Sequence, residues 1–129
     1  MPEAKGTFDI TSEPLPPTDI TTAIGAGRMA FRKTFHGDLE GTSVVEMLGI
    51  MDAAKGSGGY VALERFTGSV FGRSGSVVFQ HSSLMHRGMP TQRIVVVPDS
   101  GTEALESLRG TMTINVVDKK HHYVFTIED

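Results

Sequence analysis

Apolar and polar residues alternate along most of this chain, in short segments that end at glycine-containing or polar turns. The alternation is clearest in the last two segments, whose apolar residues are Met112, Ile114 and Val116, followed by Tyr123, Phe125 and Ile127. A period of two is typical of a β-strand with one buried face, and short turns between such segments indicate antiparallel hairpins. The sequence therefore predicts an all-β fold.

About eight segments fit this pattern, at residues 6–13, 28–35, 42–51, 58–70, 74–82, 92–97, 110–117 and 121–128. Eight antiparallel strands can close into a barrel whose interior holds side chains or one small ligand. We therefore predict an eight-stranded antiparallel barrel that forms a single domain over residues 1–129. Residues 1–27 supply the first strand and a proline-rich arm, and residues 28–129 supply the hairpin-built remainder.

One short helix is predicted before the last hairpin, in the segment SGTEALESLRG at residues 100–110. Ser100 and Glu103 have the spacing of a capping box, and Leu105 and Leu108 share one helical face. The remaining connections contain glycine, proline or charged residues and predict turns.

Charge and composition exclude several functional classes. The chain has a formal net charge of −3, and no basic cluster is longer than the pair Lys119–Lys120, so nucleic acids and anionic membranes are poor candidate partners. It contains no cysteine, which excludes disulfides and thiolate metal sites. No segment is typical of a signal peptide or a membrane-spanning helix. We therefore expect a cytoplasmic protein.

The residues between Tyr60 and His81 separate by odd and even position into two faces. If Gly72 faces Gly75 across the turn, the apolar face carries Tyr60, Ala62, Glu64, Phe66, Val77, Phe79 and His81. The opposite face is polar, and a slip of one residue would destroy this separation. Glu64 and His81 are then expected to be diagonal neighbours on the inner face.

Two ionisable residues on an apolar face need a partner, because burying an unpaired charge costs several kcal/mol. Glu64 and His81 either form a structural hydrogen bond or line a ligand pocket, with Glu64 as a possible base and His81 as a donor or acid. We predict that the walls of such a pocket are Tyr60, Phe66, Phe79, Met112 and Phe125.

A second pair of opposite charges lies on the first hairpin. With His36 opposite Gly41, Lys33 and Glu46 become diagonal neighbours on one face. They are interpreted either as an exposed salt bridge or as a second polar position in the lumen, and both are therefore candidate ligand-binding residues.

The five histidines lack the spacing of a metal site. His81 and His86 lie five residues apart, which places them on opposite faces of a strand, and His121 and His122 also point apart. We predict neither a metal nor a cofactor.

Residues Ile94–Val97 are apolar on both faces of the predicted strand. Such a strand must be covered on its outer side as well. The short helix, the proline-rich arm or a second subunit would provide this cover, and we favour a subunit. The sequence thus predicts a homo-oligomer that associates through an apolar outer face.

Three segments resemble a known family: TFHGDLEGTS, LERFTGSVFGRSGSVVFQHS and VVPDSGTEALESLRGTM. The chain is similar over about residues 28–128 to an uncharacterised bacterial family, domain of unknown function three-two-two-four, with an allene oxide cyclase-like barrel. The resemblance implies an eight-stranded barrel and self-association. Its weaker relatives, plant allene oxide cyclases and dirigent proteins, bind hydrophobic small molecules and steer their reactions without a cofactor.

The chain departs from the family pattern at two places. Glu103 replaces an expected glycine, and Ser83–Leu84 replace a smaller, glycine-containing turn. Both changes are expected at rims or loops and not on the inner faces. The resemblance transfers no catalytic residue, so Glu64 and His81 depend on the strand pattern alone.

The leading prediction is a barrel that binds a small, largely apolar molecule in its lumen. One alternative is a cofactor-independent isomerase or cyclase acting on a hydrophobic substrate. Another is a filled structural or interaction barrel without a ligand. A void beside Glu64 and His81 favours binding or catalysis, and a raised pKa of Glu64 favours catalysis over binding.

Overall fold

Eight strands follow one another around a closed antiparallel barrel in the computed structural model, which describes residues 1–128. In chain order they are β1 (Glu3–Pro14), β2 (Gly27–Gly37), β3 (Leu39–Asp52), β4 (Ser57–Val70), β5 (Arg73–His86), β6 (Met89–Val96), β7 (Arg109–Val117) and β8 (Lys120–Glu128). Each strand pairs with its successor, and β8 pairs with β1 to close the barrel. The predicted fold class is confirmed, and each predicted strand overlaps an observed one.

The predicted short helix is reduced to one 3-10 turn at Glu103–Leu105. Ser100 is not its cap. The Ser100 hydroxyl instead accepts a hydrogen bond from the backbone N–H of Val78 at 3.0 Å, which ties the loop to β5. Leu105 and Leu108 point into the barrel and are buried, so this segment covers one end of the core.

A helix that the sequence pattern did not predict lies in the proline-rich arm, α1 (Asp19–Ile24). Thr18 caps it, since its hydroxyl accepts from the N–H of Thr21 at 3.1 Å, while the hydroxyl of Thr21 accepts from the N–H of Thr18 at 2.8 Å. Gly25 ends the helix in a left-handed conformation. Across residues 1–128, no helix combines the length and the apolar character that crossing a membrane requires.

The hairpin of β2 and β3 has a different register from the predicted one. Lys33 lies opposite Ser43 and Phe35 lies opposite Gly41, with a turn at Asp38. A shift of one residue exchanges the faces of the partner strand, so Lys33 points inward while Glu46 points outward. The prediction that these two charges share a face is wrong.

The hairpin of β4 and β5 turns two residues earlier than predicted. Its turn is Phe71–Gly72, with φ angles of 50° and 79°, which is typical of a two-residue type I′ hairpin. Ala62 therefore lies opposite His81, and the predicted pairing of Gly72 with Gly75 is wrong. Because the register differs by an even number of residues, the two faces are unchanged and Glu64 remains a diagonal neighbour of His81.

One half of the barrel, called the closed half here, is filled by packed side chains. Its interior contains Phe35, Leu39, Phe66, Val70, Val77, Phe79, Leu105, Tyr123 and Phe125, all of them buried. A Cβ atom on Gly41 would lie 2.7 Å from the Cα of Gly68 on the neighbouring strand. Glycine at this paired position lets β3 and β4 approach closely beside the aromatic core.

The hydroxyl of Tyr123 joins three strands at the same end. It accepts a hydrogen bond from the N–H of Leu39 at 2.8 Å and donates to the carbonyl of His36 at 2.9 Å. Burial raises the pKa of Tyr123, so the hydroxyl keeps its proton and remains a donor. These bonds satisfy backbone groups at the turn between β2 and β3.

The strands β6 and β7 have the fewest paired residues of any neighbouring strands in the barrel, and we call this contact the seam. Its residue pairs are Ile94 with Met112 and Val95 with Thr111. Towards the end of the barrel opposite the closed half, the N–H of Ile114 donates to the side-chain carbonyl of Gln92 at 3.4 Å. A side chain thus bridges the two strands where their backbones no longer pair.

Candidate functional site

The half of the barrel opposite the closed half, called the open half here, contains a cavity of about 340 Å³. Its lining residues are Phe8, Ile10, Phe31, Lys33, Val45, Met47, Tyr60, Ala62, His81, Gln92, Ile114, Val116 and His121. Phe8 lies between the two halves, because it lines the cavity and its ring centroid is also 5.1 Å from that of Phe35 in the packed core. The lumen is therefore packed at one end and hollow at the other.

Three ionisable side chains from three strands meet beside this cavity: Lys33 on β2, Glu64 on β4 and His81 on β5. The Oε1 atom of Glu64 lies 2.9 Å from Nζ of Lys33 and 2.7 Å from Nε2 of His81. Their side chains are 5%, 1% and 7% exposed, respectively. Lys33 and His81 line the cavity, and Glu64 lies behind them.

Lys33 reaches Glu64 by extending across β3, which separates their two strands. The β3 residue opposite Lys33 is Ser43, whose small side chain leaves room for a long neighbour. The ammonium group also lies 4.6 Å from the ring centroid of Phe8, which is within the range of a cation–π interaction. Both contacts stabilise a positive charge in an apolar surrounding.

Glu64 is held as a carboxylate. Burial alone would raise its pKa, but the hydrogen bond from His81 and the charge of Lys33 outweigh burial and lower the pKa to about 2. An ionised carboxylate can only accept hydrogen bonds, so Nε2 of His81 carries a proton. Glu64 therefore acts as an anchor for two donors and is a weak candidate for a base at neutral pH.

Both donors contact the same oxygen of Glu64. The other oxygen, Oε2, and the hydroxyl of Ser43 are buried without a hydrogen-bond partner among residues 1–128. Ser43 and Glu64 are diagonal neighbours on the inner face, since Val45, two residues from Ser43, pairs with Glu64. The cluster thus keeps unused hydrogen-bonding capacity.

Several predicted site residues lie where the cavity is. Tyr60, Lys33 and His81 line it, and Glu64 contacts two of its lining side chains. Their participation in ligand binding stays a prediction. The sequence pattern correctly placed Glu64 and His81 together but paired Lys33 with the wrong acid.

The other predicted wall residues need correction. Phe66, Phe79, Met112 and Phe125 are buried in the packed core and do not line the cavity. Phe79 and Phe125, for example, pack edge to face with a centroid distance of 5.5 Å. These residues face inward as predicted, but they lie too far toward the closed half.

Glu46 also needs correction, because it lies on the outer surface. Its carboxylate accepts a hydrogen bond from Arg28 at 2.9 Å, and its side chain is 61% exposed. This exposed ion pair replaces the predicted pair with Lys33.

Sequence reasoning missed several lining residues, including Phe8, Phe31, Met47, Gln92 and His121. Each follows the alternating pattern of its own strand. The sequence pattern does not give the register of the strands or the position of each strand along the barrel axis. Closure between β1 and β8, for instance, brings the ring of His121 to 5.0 Å from that of Phe8.

A larger depression, of about 700 Å³, lies mainly on the outside of the barrel and shares Tyr60 and Gln92 with the lumen cavity. It runs from Ile24 at the end of α1 to Leu84 and includes the exposed Val61. None of its described lining residues is a buried ionisable group, so we assign the candidate site to the lumen instead. Within residues 1–128, histidines and carboxylates do not gather into a group of three or more suited to a metal ion.

Comparisons with known proteins agree on the fold. A family model described as "Protein of unknown function (DUF3224)" matches residues 4–127. One solved structure is similar to this chain, with a TM-score of 0.88 and 41% sequence identity. It is the crystal structure, at 1.84 Å resolution, of a protein with unknown function from the DUF3224 family, from Shewanella oneidensis MR-1. That match covers 100% of this chain and 99% of the other. None of the curated proteins matches the sequence. The likeness to allene oxide cyclases stays a prediction.

Proposed function

This chain belongs to the DUF3224 family of proteins of unknown function, and on that premise we propose that it binds a small, largely apolar molecule in its lumen. The observation that carries the proposal is the cavity of the open half, with the buried Lys33–Glu64–His81 cluster beside it. A filled structural barrel would need neither the cavity nor the buried charges.

The cavity has the general properties of a small-molecule site. Its volume of about 340 Å³ lies near the lower end of the range for ligand pockets, about 300–1,000 Å³. Its walls are mostly aliphatic and aromatic, with a few polar side chains among them. An apolar body with one polar group would match this arrangement.

The electrostatics favour binding over the isomerase or cyclase alternative. A general base at neutral pH needs a pKa near 7, whereas the pKa of Glu64 is lowered to about 2. Glu64 is also 1% exposed and lies behind the cavity lining, so its carboxylate is poorly placed to remove a proton from a substrate. The cluster is better suited to orienting a ligand than to transferring protons.

Titration with phenylnaphthylamine, a neutral fluorescent probe, tests the proposal. Ala62 lines the cavity, so Ala62→Leu should fill part of it and weaken binding by about tenfold or more. Val61→Leu is the matched control, because Val61 is the preceding residue, faces outward and is 55% exposed. Equal binding by both variants and the wild type would place the probe outside the lumen and contradict the proposal. Native mass spectrometry of protein purified from its own host provides an independent measurement of any retained molecule.

Self-association stays a prediction, as do a cytoplasmic location and the lack of nucleic-acid and membrane partners. Within the segment 94–97, Ile94 and Val96 point inward, and Val95 and Val97 are only half-buried within one chain. Val44 and Leu63 add apolar surface on the outside of the barrel, each more than half exposed. Sedimentation equilibrium would measure whether the protein self-associates.

A further inference from the structure

The polar side chains that line the cavity share one property, which is that all of them can donate a hydrogen bond. They are Lys33, Tyr60, His81, Gln92 and His121. None of the described lining residues is an aspartate or a glutamate. The polar part of the lining thus offers hydrogen-bond donors from five strands, and one of these donors, Lys33, is a cation.

Within residues 1–128, the carboxylate in contact with the cavity lining already accepts two hydrogen bonds. Glu64 is 1% exposed, lies behind the lining, and accepts from both Lys33 and His81 through a single oxygen. It stabilises the ammonium group of Lys33 in the barrel without covering it, because Lys33 still lines the cavity. An ammonium group has three protons, and only one of them is needed for the bond to Glu64.

We infer that the ligand carries an anionic group, such as a carboxylate, that binds beside Lys33 and His81; this inference rests on the proposed function. An anion in an apolar cavity needs a cation within contact distance to offset its loss of hydration. Lys33 is already desolvated by the fold, so its charge is available without a further cost of burial. Among residues 1–128, Glu64 is the carboxylate that contacts Lys33 and His81, and these two donors offset part of its repulsion of a ligand carboxylate.

Two probes with the same aromatic rings test the charge preference directly. Anilinonaphthalene sulfonate is anionic and phenylnaphthylamine is neutral, so we expect the sulfonate to bind the wild type about tenfold more tightly. The double variant Lys33→Met with Glu64→Gln removes both buried charges together and leaves neither unpaired. In that variant the preference should fall to about twofold or less.

A second measurement needs no variant. Octanoate and octanol share one chain length, and each can displace the neutral probe from the wild-type protein. Octanoate should act at about a tenfold lower concentration than octanol, because only octanoate brings a carboxylate to Lys33.

The outcomes separate this inference from the proposed function. If both probes bind equally and Ala62→Leu weakens both, the lumen binds ligands but the anionic group is wrong. If the preference for the anion persists in the double variant, recognition by Lys33 is wrong. If neither probe responds to Ala62→Leu, the proposed function and this inference both fail.

Discussion

The two halves of the barrel are built by the same eight strands but solve different physical problems. In the closed half, inward positions carry aromatic rings that pack against one another, such as Phe35 and Phe66 with centroids 5.3 Å apart. In the open half, the same alternation places Lys33, Glu64 and His81 inside, beside a cavity. One strand pattern thus supplies stability at one end and a polar site at the other.

The contrast is visible along single strands. On β4, Phe66 is fully buried in the aromatic core, whereas Glu64 and Ala62, the next two inward residues, belong to the charged cluster and the cavity wall. A buried ion pair is often no more stabilising than well-packed hydrophobic residues of similar volume. Stability alone therefore does not explain the charges of the open half, whereas the proposed recognition of a ligand would explain them.

The largest expected effect comes from removing an aromatic ring of the closed half. Phe66→Ala should lower the free energy of unfolding by about 4 kcal/mol, because it leaves a void among packed side chains. Phe31→Ala is the matched change in the open half, where the ring is half-buried beside an existing cavity, and we expect a loss of about 1–2 kcal/mol. Urea unfolding at pH 7 measures both values. Equal losses would mean that the two halves do not differ in packing.

An intermediate effect is expected from acid. The pKa of Glu64 is about 2 in the folded protein and 4.5 in the reference state, so the unfolded chain binds the proton first as the pH falls. The stability contributed by the ionised carboxylate is complete above about pH 5 and is lost as the pH falls from 4.5 to 2. The difference in pKa corresponds to about 3 kcal/mol.

Glu64→Gln is the control for this pH dependence. The variant should already be less stable at pH 7, by about 3 kcal/mol, because Lys33 loses its buried partner. Between pH 5 and 2 its stability should fall less steeply than that of the wild type. Parallel curves from urea unfolding at each pH would contradict the assignment of this titration to Glu64.

The smallest effect is expected at the exposed ion pair. Glu46→Gln removes the partner of Arg28, but the two side chains are 61% and 24% exposed and water replaces the interaction. We expect a change in the free energy of unfolding of about 0.5 kcal/mol or less. A loss comparable to that of Glu64→Gln would show that the surface pair matters as much as the buried one.

The strand pattern predicted most of the fold because most segments separate their polar and apolar faces. It was weakest where a strand lacks this separation. On β3, Val44 and Val45 are both apolar, so either face could be turned inward, and the predicted register was off by one residue. The sequence pattern did not predict the helix α1, because the prolines before it favour an extended backbone. Thr18 and Thr21 nevertheless carry a capping signal.

The candidate site was predicted only in part for a related reason. Glu64 and His81 lie on paired strands, and their proximity follows from alternation alone. Lys33 joins them across an intervening strand, which depends on the small side chain of Ser43 and on the curvature of the sheet. The boundary between the packed and hollow halves depends on the relative level of all strands, which no single segment reveals.

The seam between β6 and β7 means that the backbone does not fix the width of the open end. Separating β6 and β7 at the open end breaks the hydrogen bond from Ile114 to Gln92. The backbone pairs at Ile94 and Val95, nearer the closed half, still keep the barrel closed. If the lumen binds a molecule as proposed, the two strands can move apart at the open end while the pairs at Ile94 and Val95 stay formed. The amide protons along these two edges, which no neighbouring strand shields, should be among the first of the sheet to exchange with deuterium.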